Sequence, residues 1–250
     1  MLKYLIGIFI LVSISFNLLS MSCICLYWGF SLNCFLFFII ENVYNNLLTN
    51  GYVLFNVGKM TKKEFLNFSY NLGEVIPSGR GKEFVDDILI NDGTGTSKLP
   101  FHTDKTYWRI PPRFEVLYVK DVVNMEHGEI TVASILDAFK SLTEKEQQTL
   151  INYKSKYINP SNSDNGYNPS AHFVNIIDNN IEFFRYRLDI FESNLPEINK
   201  IKEYIENNYK LVSYKKGDIL ILDNWKYCAG RNITIWKGNG FRHLYRTLVI

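Results

Sequence analysis

The chain has 250 residues, 47% of them hydrophobic, and a formal net charge of only +2. That is enough apolar material for one sizeable core, and the length does not call for several packed domains. A near-neutral chain without a long basic block does not have nucleic acid as its expected partner.

In chain order, the first segment stands apart. No charged residue occurs between Lys3 and Glu41, a stretch longer than the roughly 20 apolar residues that a bilayer-spanning helix needs. Three readings stay open for residues 1–40: a membrane anchor through residues 4–40, which is favoured, a signal peptide, and an upstream stretch mistakenly translated. The signal peptide fits poorly, because the apolar run passes a normal h-region without a small-x-small cleavage site. Cys23, Cys25 and Cys34 lie in this segment and leave Cys228 alone in residues 41–250. A single cysteine there makes no internal disulfide and reads as a small buried hydrophobe in a reducing compartment.

Residues 41–250 are expected to form one domain of strands with helices outside. Glu41 to Asn50 reads as an amphipathic helix stopped by Gly51. A strand is expected over Val53 to Val57, and the capping box Thr61-Lys62-Lys63-Glu64 opens a helix through about Leu72. Further strands are expected at Val116 to Val119, Ile130 to Val132, Phe173 to Ile177, Ile181 to Arg187, Asp218 to Leu222 and Arg242 to Ile250, all rich in β-branched and aromatic residues. A second capping box at Thr143 to Glu146 starts a helix toward Tyr153, and Leu195-Pro196 opens one over Glu197 to Tyr209. Asn159 to Ser170, dense in Asn, Ser, Pro and Gly, reads as a surface loop near a substrate entrance.

Two local patterns carry chemistry. In Leu99-Pro100-Phe101-His102-Thr103-Asp104, an extended backbone puts the His102 imidazole and the Asp104 carboxylate on one face. They are two of the three ligands of a 2-His-1-carboxylate site, which leaves open positions on Fe(II); alone, such a pair is more often a chance pair in a polar loop. In Arg242-His243-Leu244-Tyr245-Arg246, alternation turns Arg242, Leu244 and Arg246 to one face. Arg242 has the planar fork that grips a carboxylate bidentately, which lysine lacks. Thr131 is expected to donate its hydroxyl to the same carboxylate. The competing reading of the two arginines is a solvated edge strand.

Four blocks occur in a telling order: Asn50-Gly51-Tyr52-Val53-Leu54-Phe55; the His102 and Asp104 block; Gly128-Glu129-Ile130-Thr131; and Gly217 through Arg231 followed by Phe241 to Arg246. Through them the chain, from about Ile40 to its end, resembles the taurine dioxygenase family of Fe(II)/2-oxoglutarate-dependent oxygenases. The resemblance implies a mainly β fold with flanking helices, the double-stranded β-helix or distorted jelly roll. It implies Fe(II) held by His102 and Asp104, and 2-oxoglutarate held by Thr131 and Arg242. Arg246 falls where family members hold the substrate's anionic group or a carboxylate near the metal. The implied reaction consumes O₂ and converts 2-oxoglutarate to succinate while oxidising a small anionic or amino-acid-like substrate, in a cytoplasmic domain.

One position departs from the pattern. The family run is Asp-Asn-x-x-x-x-His-Gly-Arg, and Asp223, Asn224, Gly230 and Arg231 match it in register, which places Ala229 at the metal histidine. His243 and Cys228 are poor replacements, since alternation turns each away from the site. His127 and His172 read as loop residues. Arg185, Arg187 and Arg246 are the candidate anion contacts for substrate, and Tyr107, Trp108 and Trp225 are either its walls or core residues. Two functions follow: an oxygenase with altered metal binding, or an inactive scaffold that retains a small-anion pocket.

Overall fold

The computed structural model describes residues 43, 45–78, 83–91, 96–156, 170–189, 193 and 195–250. The apolar segment 1–40 and nearly all of the loop expected at Asn159 to Ser170 lie outside them. Among the described residues no helix is long and apolar enough to cross a membrane.

Two antiparallel sheets make the frame. The larger joins β1 (Tyr52–Asn56), β12 (Asp218–Asp223), β5 (Phe114–His127), β14 (Thr234–Val249) and β2 (Val75–Ile76) in that order, with β3 (Asp86–Asn91) also paired to β14. The smaller runs β11 (Lys210–Val212), β6 (Ile130–Ser134), β13 (Tyr227–Arg231) and β4 (Leu99–His102). Short hairpins flank them: β7 (Lys154–Lys156) with β8 (Ser170–His172), and β9 (Val174–Ile177) with β10 (Asn180–Phe184).

The chain packs in layers. Leu117, Leu220 and Leu222 of the larger sheet meet Ile130, Val132 and Val212 of the smaller one, with Tyr227 and Ala229 beside them. On the outer side of the larger sheet, Val116, Tyr118, Ile219, Ile221 and Val249 pack on Phe65 and Phe68 of the helix Lys62–Ser69. Asp218–Asp223 is therefore buried along its whole length, as its near-continuous apolar run requires of a strand covered on both faces. Outside the smaller sheet, Ala133 and Cys228 meet the helices Ile135–Lys140 and Pro196–Asn207. The latter buries Ile198, Ile201 and Ile205, one stripe at helical spacing.

Both capping boxes form. Thr61 and Glu64, and Thr143 and Glu146, exchange side-chain and backbone hydrogen bonds at the starts of their helices, each cap contributing about 1 kcal/mol. The first helix, residues 45–50, ends at Gly51, whose φ of 77° favours glycine and whose added Cβ would sit 2.1 Å from the Tyr227 ring. The structure thus has mostly strands, with few helices packed outside.

Candidate functional site

β4 lies at the edge of the smaller sheet, against β13. Its register puts Ala229 directly opposite His102, so the position expected to carry the second histidine is the cross-strand neighbour of the first. Gly230 allows this close approach: a Cβ there would come within 2.7 Å of the Leu99 carbonyl and 2.8 Å of Thr131 Oγ1.

The His-x-Asp segment is held on both sides. Thr103, between the two ligand residues, is fully buried and exchanges hydrogen bonds with the Tyr186 backbone, its amide at 2.6 Å from Tyr186 O. That fixes His102 and Asp104 on the opposite face. His102 Nδ1 lies 2.9 Å from the Pro100 carbonyl, which accepts only, so the proton belongs on Nδ1 and the lone pair on Nε2. Nε2 faces Asp104 Oδ1 at 3.5 Å. The Asp104 backbone is clamped by Asn224, whose Oδ1 accepts the Asp104 amide at 2.6 Å and whose Nδ2 donates to the carbonyls of Asp104 and Pro112 at 3.2 and 2.8 Å. Asp223 caps the same corner, accepting the amides of Trp225 and Lys226. The Asp-Asn pair of the motif is therefore the brace of the ligand segment.

A pocket beside this segment is lined by His102, Asp104, Glu115, Val132, Leu222 and Ala229 among others, with a cavity volume of about 10 Å³, the scale of one water. Arg246 closes it. Its guanidinium reaches Asp104 Oδ2 at 3.1 Å, Asp86 Oδ2 at 2.8 Å and Glu115 Oε1 at 3.5 Å. Burial works against ionising Asp104, but Arg246 and His102 together hold its carboxyl well below the usual carboxylate range. Glu115 is pushed up to about 7, chiefly by burial and by the Asp104 charge. For His102, burial disfavours the charged form, yet the Asp104 carboxylate raises the pKa overall.

Iron would find two of its three expected protein ligands here. His102 and Asp104 offer two donors on one face, but among the described residues no group of three His, Cys, Asp or Glu side chains could hold a metal ion. Cys228 turns away and donates to the Ala133 carbonyl at 3.6 Å. His243 lies on the outer face of β14, paired with Asp87 and edge-on to Tyr245. His172 bonds the Ile151 carbonyl at 3.0 Å, and His127 is an exposed neighbour of Glu129.

Arg242 is 3% exposed and shares the inner face of β14 with Leu244 and Arg246. Its Nη1 donates to the Tyr214 hydroxyl, while its Nε is buried without a hydrogen-bond partner. An orphaned guanidinium nitrogen suits a carboxylate such as the distal one of 2-oxoglutarate. Thr131 is not beside it. Strand alternation puts Ile130 and Val132 on the inner face and turns Thr131 outward to Gly230 and the β4 backbone.

Among the substrate candidates, Arg185 is spoken for, since its guanidinium donates to the carbonyls of Thr106, Trp108 and Arg109 at 2.5, 2.7 and 2.8 Å. Arg187 pairs across a bridge with His102 and bonds Asp189 at 3.2 Å. Trp225 donates to the Pro111 carbonyl at 3.0 Å and packs on Phe183, and Tyr107 is buried in the core. Sequence reasoning missed Glu115 and Tyr214, which no local motif marks.

Comparison with known proteins agrees with this fold. The fold matches an asparagine oxygenase in complex with Fe(II), hydroxyasparagine and succinate, at 14% identity over 84% of this chain and 78% of that one, TM-score 0.69. It also matches the non-heme iron oxygenase OrfP in complex with Fe and alpha-ketoglutaric acid, at 17% identity over 84% and 78%, TM-score 0.64. The PvcB protein of Pseudomonas aeruginosa matches at 16% identity over 84% and 79%, TM-score 0.63. No curated protein matches the chain in sequence. The family model described as "Taurine catabolism dioxygenase TauD, TfdA family" matches residues 39–248. The chain therefore belongs to the TauD, TfdA family of double-stranded β-helix oxygenases, which use Fe(II) and 2-oxoglutarate.

Proposed function

We propose that this chain is an Fe(II)/2-oxoglutarate-dependent oxygenase of a small amino-acid-like or anionic substrate, working with a metal site that has lost one protein ligand. The observation that carries this is the Ala229 position: it lies opposite His102 in the ladder while the Asn224 and Asp223 braces around it persist. His102 Nε2 and Asp104 would hold the metal, with water or substrate as third donor in the water-sized space beside Ala229. Arg242 would anchor the distal carboxylate of the co-substrate, and Arg246 would position Asp104. When bound, the metal supplies the oxidising chemistry, with 2-oxoglutarate and O₂ consumed and succinate and CO₂ released. An amino-acid substrate is supported by the hydroxyasparagine bound to the related asparagine oxygenase and the hydroxyarginine bound to OrfP.

A second reading has its own support. Arg246 Nη1 lies 3.1 Å from Asp104 Oδ2 and balances its charge, as suits a scaffold that keeps only the anion pocket. Anaerobic titration of Fe(II) with 2-oxoglutarate separates the two. The oxygenase reading expects a metal-to-ligand charge-transfer band, abolished by His102→Ala or Asp104→Ala. No band at saturating Fe(II) rejects it in favour of the scaffold, and a band unchanged in both variants means that the metal sits elsewhere.

A further inference from the structure

With Thr131 turned outward, Arg242 lacks the hydroxyl expected beside it, but another lies close by. Thr234 opens β14, is 3% exposed, and has an Oγ1 without a hydrogen-bond partner. It packs so closely on Gly128 that a Cβ there would come within 2.7 Å of that oxygen. The Gly128 carbonyl accepts the Tyr214 hydroxyl at 3.2 Å, and Tyr214 accepts Arg242 Nη1. Arg242 bonds Tyr214, and Thr234 packs on the glycine that the same tyrosine bonds.

Another donor lies nearby. Trp236, two residues after Thr234, has a buried Nε1 with no partner and pairs across the ladder with Met125, whose sulfur lies 3.7 Å from Tyr214 Oη. Indole and guanidinium N–H groups donate and never accept. A buried guanidinium and idle donors gathered near one tyrosine fit an anion with several acceptor lone pairs.

We propose that Thr234 supplies the hydroxyl of the anion site built on Arg242, that Trp236 completes it, and that Thr131 takes no part. The ligand class is a carboxylate, the distal one of a five-carbon dicarboxylate. This assignment rests on Arg242 as the co-substrate anchor and adds the residues that work with it.

Calorimetry with glutarate tests it on full-length protein without metal, since glutarate has both carboxylates but no 2-oxo group to chelate iron. Thr234→Val should weaken binding about tenfold, the scale of one hydrogen bond to a charged group. Thr234→Ser should keep wild-type affinity, and so should Thr131→Val. Should Thr234→Val fail to fold, Trp236→Phe removes a single N–H and is expected to weaken binding several-fold. Wild-type affinity in Thr234→Val, or in Trp236→Phe where that variant stands in, overturns the proposal and leaves Arg242 as anchor, as does a Thr131→Val loss equal to that of Thr234→Val. Absence of glutarate binding by the wild type overturns both assignments.

Discussion

The two ends of the barrel interior differ in how their polar groups are satisfied. At the metal end, Arg246 is shared among Asp86, Asp104 and Glu115, and His102 is oriented between Pro100 and Asp104. At the anion end, Arg242 Nε, Thr234 Oγ1 and Trp236 Nε1 are buried without partners. The difference teaches that one end carries its own counter-charges while the other presents donors that no protein group uses. At the metal end the Asp104 carboxylate is balanced by a guanidinium of the same fold. A cluster of donors has no such remedy within the protein, because only an acceptor from outside relieves it.

The largest effect is expected from restoring the metal end. Ala229→His puts an imidazole opposite His102, in a segment whose Asp223 and Asn224 braces are intact. Turnover of 2-oxoglutarate to succinate should rise from near zero to a readily measured rate with small amino acids or acids as substrate. Equal rates in wild type and variant would show that the third imidazole is dispensable. No turnover in either would extend the defect beyond this ligand.

Arg246→Leu attacks the balance itself. Three carboxylates would lose their shared cation at a largely buried position, and breaking such a network typically costs about 3–5 kcal/mol. Urea denaturation of metal-free protein should show that loss, and anaerobic Fe(II) should recover part of it by neutralising Asp104 in place of the guanidinium. A variant as stable as wild type would mean that Arg246 does not carry the balance.

Much of this contrast was legible in the chain, though unevenly. His102, Asp104 and Ala229 were readable because short motifs fix their register, and the β4 to β13 ladder pairs His102 with Ala229. Arg242 and Arg246 share a face because alternation holds through the end of β14, despite a register shift between His243 and Leu244. Thr131 illustrates the limit: one residue along a strand reverses the face, and the Gly-Glu-Ile-Thr block does not say which residue turns inward. β13, with the sequence Tyr-Cys-Ala-Gly-Arg, carries no β-branched residue, so only the alternation argument about Cys228 pointed to a strand there. β4 contains Pro100 at the sheet edge, where the missing N–H is tolerated. β5 and β14 extend to Phe114–His127 and Thr234–Val249, well past their apolar stretches, because each pairs with the other along its length. Arg185 read as an anion contact, yet backbone carbonyls close in space but 76 to 79 residues away take its donors.

The pH dependence of metal-free protein sharpens the comparison further. Glu115 has a folded pKa of about 7 against an ordinary 4.5, so the folded state holds its proton more tightly. Stability from this group is full below about 4.5 and is lost as pH rises through about 7, a change of at most about 3 kcal/mol. Asp104 has the opposite sign: its contribution is present above its ordinary 3.8 and is lost as pH falls toward its depressed folded value. The His102 contribution, whose folded pKa is raised, begins to fade only near its ordinary 6.5, so between 4.5 and 6.5 Glu115 acts together with Asp223, whose carboxyl burial also pushes up. Chemical denaturation across that window, with chelator present, should show falling stability in wild type and a flatter profile in Glu115→Gln. Identical slopes would remove Glu115 from the network.

Arg242→Lys should produce the smallest change, and one confined to the anion end. Lysine keeps the charge but is a point donor on a flexible stem, unable to bond Tyr214 and span a carboxylate at once as the guanidinium does. Loss of one charge-assisted hydrogen bond should weaken 2-oxoglutarate binding by about 1–3 kcal/mol, measured by calorimetry. Fe(II) affinity without co-substrate should not change, because Arg242 bonds Tyr214 whereas the ligand pair is held by Asn224, Pro100 and Arg246. Unchanged 2-oxoglutarate affinity would reject Arg242 as the anchor. A parallel fall in Fe(II) affinity would show that the two ends are coupled, and that the partnered metal end depends on the unpartnered one.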